Sequence, residues 1–200
     1  MKLIRKITGC MFAASLLLSS QVYAIPMLNF TPASQTVNLG DQATVNVGLS
    51  GLSNEYVGAF DFNVSWDSSL LSLDSSSFDI FLDGPGNSIS AVGSSTAGTV
   101  NMFEVSFSSL INQDGSSDIN LFSLTFNTLS LGTSALSFSA GIDPFFDFLG
   151  DDLGFALPTN ISGGSIEILA FAQVPEASTI WLFGIGLVLL GFTQLRVLQR

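Results

Sequence analysis

The sequence predicts an all-β protein, an antiparallel β-sandwich, and three observations carry that expectation. Short runs alternate apolar and polar residues with the two-residue period of a strand. Glycine- and aspartate-rich turn signals separate the runs. Between the termini, no segment keeps a helical period for longer than a turn or two.

The strands follow in order. "TVNVGL" alternates Val45, Val47 and Leu49. In "AFDFNVSWD", Phe60, Phe62, Val64 and Trp66 share one face while Asp61, Asn63 and Ser65 share the other, so this strand has a dry side and a wet side. "MFEVSF" brings Phe103, Val105 and Phe107 into phase and predicts that they point inward. "NLFSLTFN" does the same for Phe122, Leu124 and Phe126, "ALSFSAG" for Leu136 and Phe138, and "GSIEIL" for Ile166 and Ile168. The turn signals "LGDQ", "DGPGNS", "STAGT", "NQDGSSD" and "SLGTS" punctuate them. Many short strands so separated read as a sandwich, with phenylalanine filling its core.

Charge placement narrows the function. All five basic residues lie at the ends, as Lys2, Arg5, Lys6, Arg196 and Arg200, and the chain has no histidine. The sixteen acidic residues all fall between Asp41 and Glu176. No side-chain ion pair can form within the central domain, and its acidic surface repels phosphate backbones, which excludes nucleic acid as a partner. Without histidine, lysine, arginine or cysteine there, Ser-His-Asp triads, thiol nucleophiles and Schiff bases are excluded. A two-carboxylate glycosidase remains formally open. The sequence therefore predicts a protein that is not an enzyme.

Both termini read as addresses. Lys2, Arg5 and Lys6 precede an apolar stretch from Met11 to Leu18, and Val22 and Ala24 supply the small residues of a signal-peptidase site. Residues 1–24 are thus expected to form a signal peptide cleaved after Ala24; lipidation at Cys10 is the less fitting alternative, because most of the apolar stretch follows that cysteine. Residues 177–195 are uncharged and, as a helix, span roughly 28 Å, enough for a transmembrane helix. Arg196 and Arg200 place its C-terminal end in the cytoplasm, which leaves the acidic domain, 25–172, outside. An N-terminal signal helix and a C-terminal membrane helix are therefore expected to flank the sandwich.

Val174, Pro175, Glu176 and Ala177, followed by this apolar helix and terminal arginines, resemble the PEP-CTERM sorting signal, with Ala177 where that family normally has a second proline. The resemblance covers residues 173–200. It implies an exported protein of a Gram-negative bacterium, cut near the Pro-Glu pair by an exosortase. The protein would be held briefly in the inner membrane and then passed to the cell surface or the extracellular matrix. A plain tail anchor is the other reading.

"VGLSGL" with "YVGAFDFNVSWDSSLLSL", and later "INLFSLTFNTLSLGTSALSFS" before "GSIEI", resemble the two halves of a cohesin-type domain. That resemblance implies a cohesin-like jelly-roll sandwich, and a sheet face that binds a dockerin in cohesins proper. The expected role is adhesive or structural, through exopolysaccharide or a surface protein. The alternative is a carbohydrate-binding or calcium-dependent module.

"DPFFDFLGDDLGF" supplies the metal candidates. Asp143, Asp147, Asp151 and Asp152 repel one another with no cation nearby, and calcium would relieve them with oxygen ligands alone. A surface loop docked by Phe145, Phe146 and Phe148 explains the same stretch. "NQDGSSD", with Asn112, Asp114, Ser116 and Asp118, is fainter still, since its glycine falls at the wrong position for a calcium loop and turn chemistry suffices. Trp66, on the apolar face, reads as core rather than as a sugar platform. Phe145, Phe146 and Phe148 are the better candidates for an exposed patch.

Overall fold

Alternation becomes strands wherever one parity is apolar. The computed structural model describes residues 25–53, 55–82, 86–107, 113, 115–141, 148–171 and 184–185. The signal peptide with Ala24, the motif Val174 to Ala177, the pair Asp143 and Asp147, and all of 177–195 except Gly184 and Ile185 lie outside these residues. Among the described residues, no helix is long and apolar enough to cross a membrane. The chain separates into two units, 1–169 and 170–200, and the strands belong to the first.

They are β1 (Met27–Thr31), β2 (Ser34–Asn38), β3 (Gln42–Ser50), β4 (Val57–Ser65), β5 (Leu71–Phe78) and β6 (Ser88–Thr96). β7 (Thr99–Ser106), β8 (Asp118–Thr128), β9 (Gly132–Ala140), β10 (Leu149–Asp151), β11 (Asn160–Ile161) and β12 (Gly164–Leu169) follow. Two sheets result, a five-stranded one ordered β11-β1-β3-β8-β5 and a seven-stranded one ordered β2-β12-β9-β4-β7-β6, with β10 also paired to β4. Pairing is antiparallel, as expected, except where β1 meets β11 and β2 meets β12 in parallel.

Phenylalanines stitch the sheets together. Phe60 and Phe62 of β4 each lie 5.6 Å from Phe122 of β8, centroid to centroid, and Phe30 of β1 stacks on Phe138 of β9 at 4.2 Å. Such offset and tilted pairs add to burial that is worth roughly 1.5–3 kcal/mol per large side chain. Trp66 is a core residue: its ring packs 5.1 Å from Phe126 and its indole N–H donates to the Leu71 carbonyl at 3.0 Å. The tip of the β6–β7 hairpin needs glycine, because Gly98 has φ +86° and its carbonyl accepts the Trp66 amide at 2.9 Å.

One strand reverses its expected face. β7 pairs with β4 so that Phe62 lies opposite Met102 and Val64 opposite Val100, which turns the even residues inward. Val100, Met102 and Glu104 are buried, while Phe103 and Val105 are half-exposed and Phe107, just past the strand, is 69% exposed. The expected apolar face of "MFEVSF" is therefore the outer one.

Candidate functional site

The outer face of the seven-stranded sheet takes its shape from this reversal. From β9 across β4 to β7 the outward residues are Ser137, Ser139, Asn63, Ser65 and Thr99. They bond among themselves: Ser65 and Thr99 hydroxyls lie 3.2 Å apart, and the Asn63 amide donates to the Ala140 carbonyl at 2.7 Å. Toward β6 the face becomes apolar, with Phe103 and Val105 opposite Ala91 and Ile89, and Ile89 is 57% exposed.

Between these halves lies a buried polar pair. The Asn101 amide donates to the Asp61 carboxylate at 2.7 Å, and both side chains are 4% exposed although they point away from the core. Glycines make room for them. A Cβ on Gly93 would overlap the Asn101 amide, and one on Gly141 would overlap the Asp61 carboxylate. β9 and β10 flank the same side of β4, and the chain leaves the sheet at Gly141, whose N–H donates to the Asp61 carbonyl at 3.2 Å. It returns at Phe148, whose carbonyl accepts the Asp61 N–H at 3.1 Å. Asp61 thus bonds both Gly141 and Phe148, the described residues on either side of the stretch that holds Asp143 and Asp147, two of the sequence's metal candidates.

Of those candidates, Asp151 ends β10 and Asp152 follows it. The Asp151 carboxylate accepts the N–H groups of Leu153 at 2.9 Å and Phe155 at 2.7 Å, closing a turn whose Gly154 has φ +83°. Among the described residues, no group of three or more acidic, histidine or cysteine side chains is placed to hold a metal. Phe148 packs on the core, 6.3 Å from Phe62.

In "NQDGSSD" the informative residue is one the sequence reading passed over. Gln113 is buried and clamps Val57 at the start of β4: its carbonyl oxygen accepts the Val57 N–H and its amide donates to the Val57 carbonyl, both at 2.8 Å. It substitutes for a neighbouring strand, and no local pattern marks a glutamine for that role. Asp118, at the start of β8, accepts the Gly51 amide at 3.3 Å.

Two other features complete the surface. The turn into β5 is set by Asp67, whose carboxylate accepts the Ser69 hydroxyl at 2.6 Å and the Ser69 N–H at 2.9 Å. Those bonds hold the Asp67 carboxyl below the ordinary aspartate range. On the five-stranded sheet, Asn29, Thr31, Ser50, Phe81, Asp118 and Asn120 line a groove of about 420 Å³ beside Gly48.

A two-sheet β module with a partly apolar outer face defines the class, and comparison with known proteins places it. The chain belongs to the cohesin domain family, whose pattern matches residues 28–142, and a PEP-CTERM protein-sorting motif matches residues 173–196. Solved structures with the same fold include the sixth cohesin of scaffoldin B from Acetivibrio cellulolyticus, determined in complex with a Cel5 dockerin. It is 18% identical with a TM-score of 0.58, over 72% of this chain and 99% of that one. CaCohA2 from Clostridium acetobutylicum is 23% identical with a TM-score of 0.57, over 75% and 94%. The cohesin module of a family 33 glycoside hydrolase from Clostridium perfringens is 14% identical with a TM-score of 0.55, over 72% and 97%. Among curated proteins, none matches.

Proposed function

We propose that this chain is an exported, non-catalytic binding module that docks a protein partner on the outer face of its seven-stranded sheet. The observation that carries this reading is the apolar half of that face, where Phe103, Val105, Ile89 and Phe107 meet solvent. Exposed apolar surface beside a polar rim is the composition of an interface core. Membership of the cohesin family, with relatives solved in complex with dockerins, supports a dockerin-type partner. Calorimetric titration with the dockerin domains encoded by the producing organism tests it. Phe103→Ser and Phe107→Ser should each weaken a complex about tenfold or more while the fold is kept. Binding that is indifferent to both substitutions defeats the assignment of this face.

The sorting motif at 173–196 supports delivery by export, membrane retention and exosortase cleavage near Pro175–Glu176. Intact-mass measurement of protein recovered from the cell surface should find the C-terminal arginines missing. A surface form that retains Arg200 overturns processing.

A second reading, recognition of exopolysaccharide, is favoured by the groove on the five-stranded sheet. Its amides, hydroxyls and carboxylate beside the Phe81 ring suit a neutral sugar, and its volume lies within the range of small-ligand sites. Glycan-array binding lost in Asn120→Ala would support it, and an empty array would set it aside.

A further inference from the structure

Sheets end in strands whose outward N–H and C=O groups lack a neighbouring strand, and proteins blunt such edges with brevity, charge, proline or bulges. Among the described residues, three of the four sheet edges are blunted by brevity, by a tie to the other sheet or by charge. β11 is two residues long. β2 is five residues long and is tied to the other sheet by the Gln35 amide, which donates to the Thr44 carbonyl at 3.1 Å. β5 carries Asp74 in a bulge between Leu73 and Ser75. The fourth edge, β6, runs for nine residues, "SISAVGSST", without charge or proline, and its bulge lies toward its far end, between Val92 and Ser95.

Its geometry leaves a regular segment open. The register of β6 against β7 shifts only between Val92 and Ser95, so Ser88 to Val92 form a plain ladder. Just before it, the Phe107 N–H donates to the Asn87 carbonyl at 2.8 Å, marking that pair as hydrogen-bonded. Alternation along an antiparallel ladder then turns the backbone groups of Ile89 and Ala91 toward β7 and those of Ser88, Ser90 and Val92 toward the open edge. Ile89 is 57% and Val92 47% exposed.

Charge selects the occupant. Every charged side chain between residues 25 and 195 is acidic, so two copies repel wherever carboxylates face each other. β6 is an uncharged stretch whose backbone pattern is complementary to itself under a two-fold axis. We propose that two copies of this chain join edge to edge through antiparallel pairing of their β6 strands. A pairing centred on Ser90 sets Ile89 of each copy opposite Ala91 of the other, and continues the seven-stranded sheet across the dimer. This inference rests on the edge of the sheet; Ile89 borders both that edge and the docking face, so the dimer is read on the chain with no partner present.

Sedimentation velocity of the full chain in detergent tests it. A dimer is expected at tens of micromolar, about 10–100 µM, and higher salt should strengthen it because screening relieves the like-charge repulsion. Ser90→Pro removes an outward N–H and leaves the bonds to β7 in place, while Ile89→Asp sets like charges across the interface. Each should weaken the dimer about tenfold or more with an unchanged circular-dichroism spectrum, and Ser90→Ala should behave as the parent. If Ser90→Pro does not fold, Ile89→Asp decides alone. A chain that stays monomeric over this range, a dimer indifferent to the substitutions, or one weakened by salt overturns the proposal.

Discussion

Across the middle of the five-stranded sheet, from β3 through β8 to β5, outward hydroxyls, amides and a carboxylate bond one another. Gln42 donates to Asn127 at 3.0 Å and to Asp74 at 3.3 Å, Asn127 donates to Asp74 at 2.9 Å, and the Thr44 and Thr125 hydroxyls meet at 3.0 Å. On the seven-stranded sheet such a grid covers only the half nearer β9; beyond the buried Asp61–Asn101 pair, Phe103, Val105 and Ile89 face solvent. The difference teaches where binding free energy can come from. A grid that already satisfies its own polar groups gains little from a partner, whereas an apolar strip gains from every area removed from water.

Substitutions sharpen that contrast, and the largest effect belongs to neither face. Phe122→Ala empties the space between the sheets and should cost about 3–5 kcal/mol, read by urea unfolding, because Phe60, Phe62 and Phe78 all pack on that ring. Asn101→Ala comes next. It removes the amide that donates to the buried Asp61 carboxylate, and should cost about 1–3 kcal/mol. A loss near zero would mean that the pair between the two halves is ornamental. Thr125→Ala, in the exposed grid, should stay within about 0.5 kcal/mol, and so should Phe107→Ser, whose effect appears in partner binding instead.

The smallest expected effect is a pH dependence at Asp67. Its carboxyl titrates below the ordinary aspartate value because the Ser69 hydroxyl, and then the Ser69 N–H, bond its charged form. The folded state therefore binds this proton less readily than the unfolded chain. The contribution is fully present above the unfolded aspartate value, and is lost as pH falls through it toward the lower folded value. Since Asp67 is open to solvent, Ser69→Ala should flatten the acid limb of a melting-temperature profile only slightly. A steeper limb in that variant would contradict the assignment.

Much of this architecture is readable residue by residue. β3, β4, β8, β9 and β12 each place one apolar parity against a polar one, and burial follows the apolar parity, from Val45, Val47 and Leu49 to Ile166 and Ile168. β7 could not be read that way. Among its last residues and just past its end, the odd ones are Phe103, Val105 and Phe107, and the even ones include a glutamate, so periodicity favours the wrong face. Pairing of Met102 with Phe62 and of Val100 with Val64 overrules it, and Glu104 goes inward to be met by the Ser88 hydroxyl at 2.9 Å. The site was legible only in part for the same reason. Phe103, Val105 and Phe107 of the apolar strip are the very residues that periodicity assigned to the core, and Ile89 was not singled out at all. Gln113, clamping Val57 from 56 positions away, leaves no local signal at all.

What the sequence determined by itself was the class of fold, the one-signed charge of the domain and the sorting motif at 173–196, since all three depend on composition and short-range pattern. Tertiary structure alone decided which face of β7 meets solvent, that Asp61 and Asn101 share a buried bond, and that β6 lies at a sheet edge with a regular, uncharged stretch from Ser88 to Val92. Those outcomes depend on register and strand order. Residues far apart in the chain set both through hydrogen-bonded pairing, and a one-residue slip would have exchanged every inside for an outside.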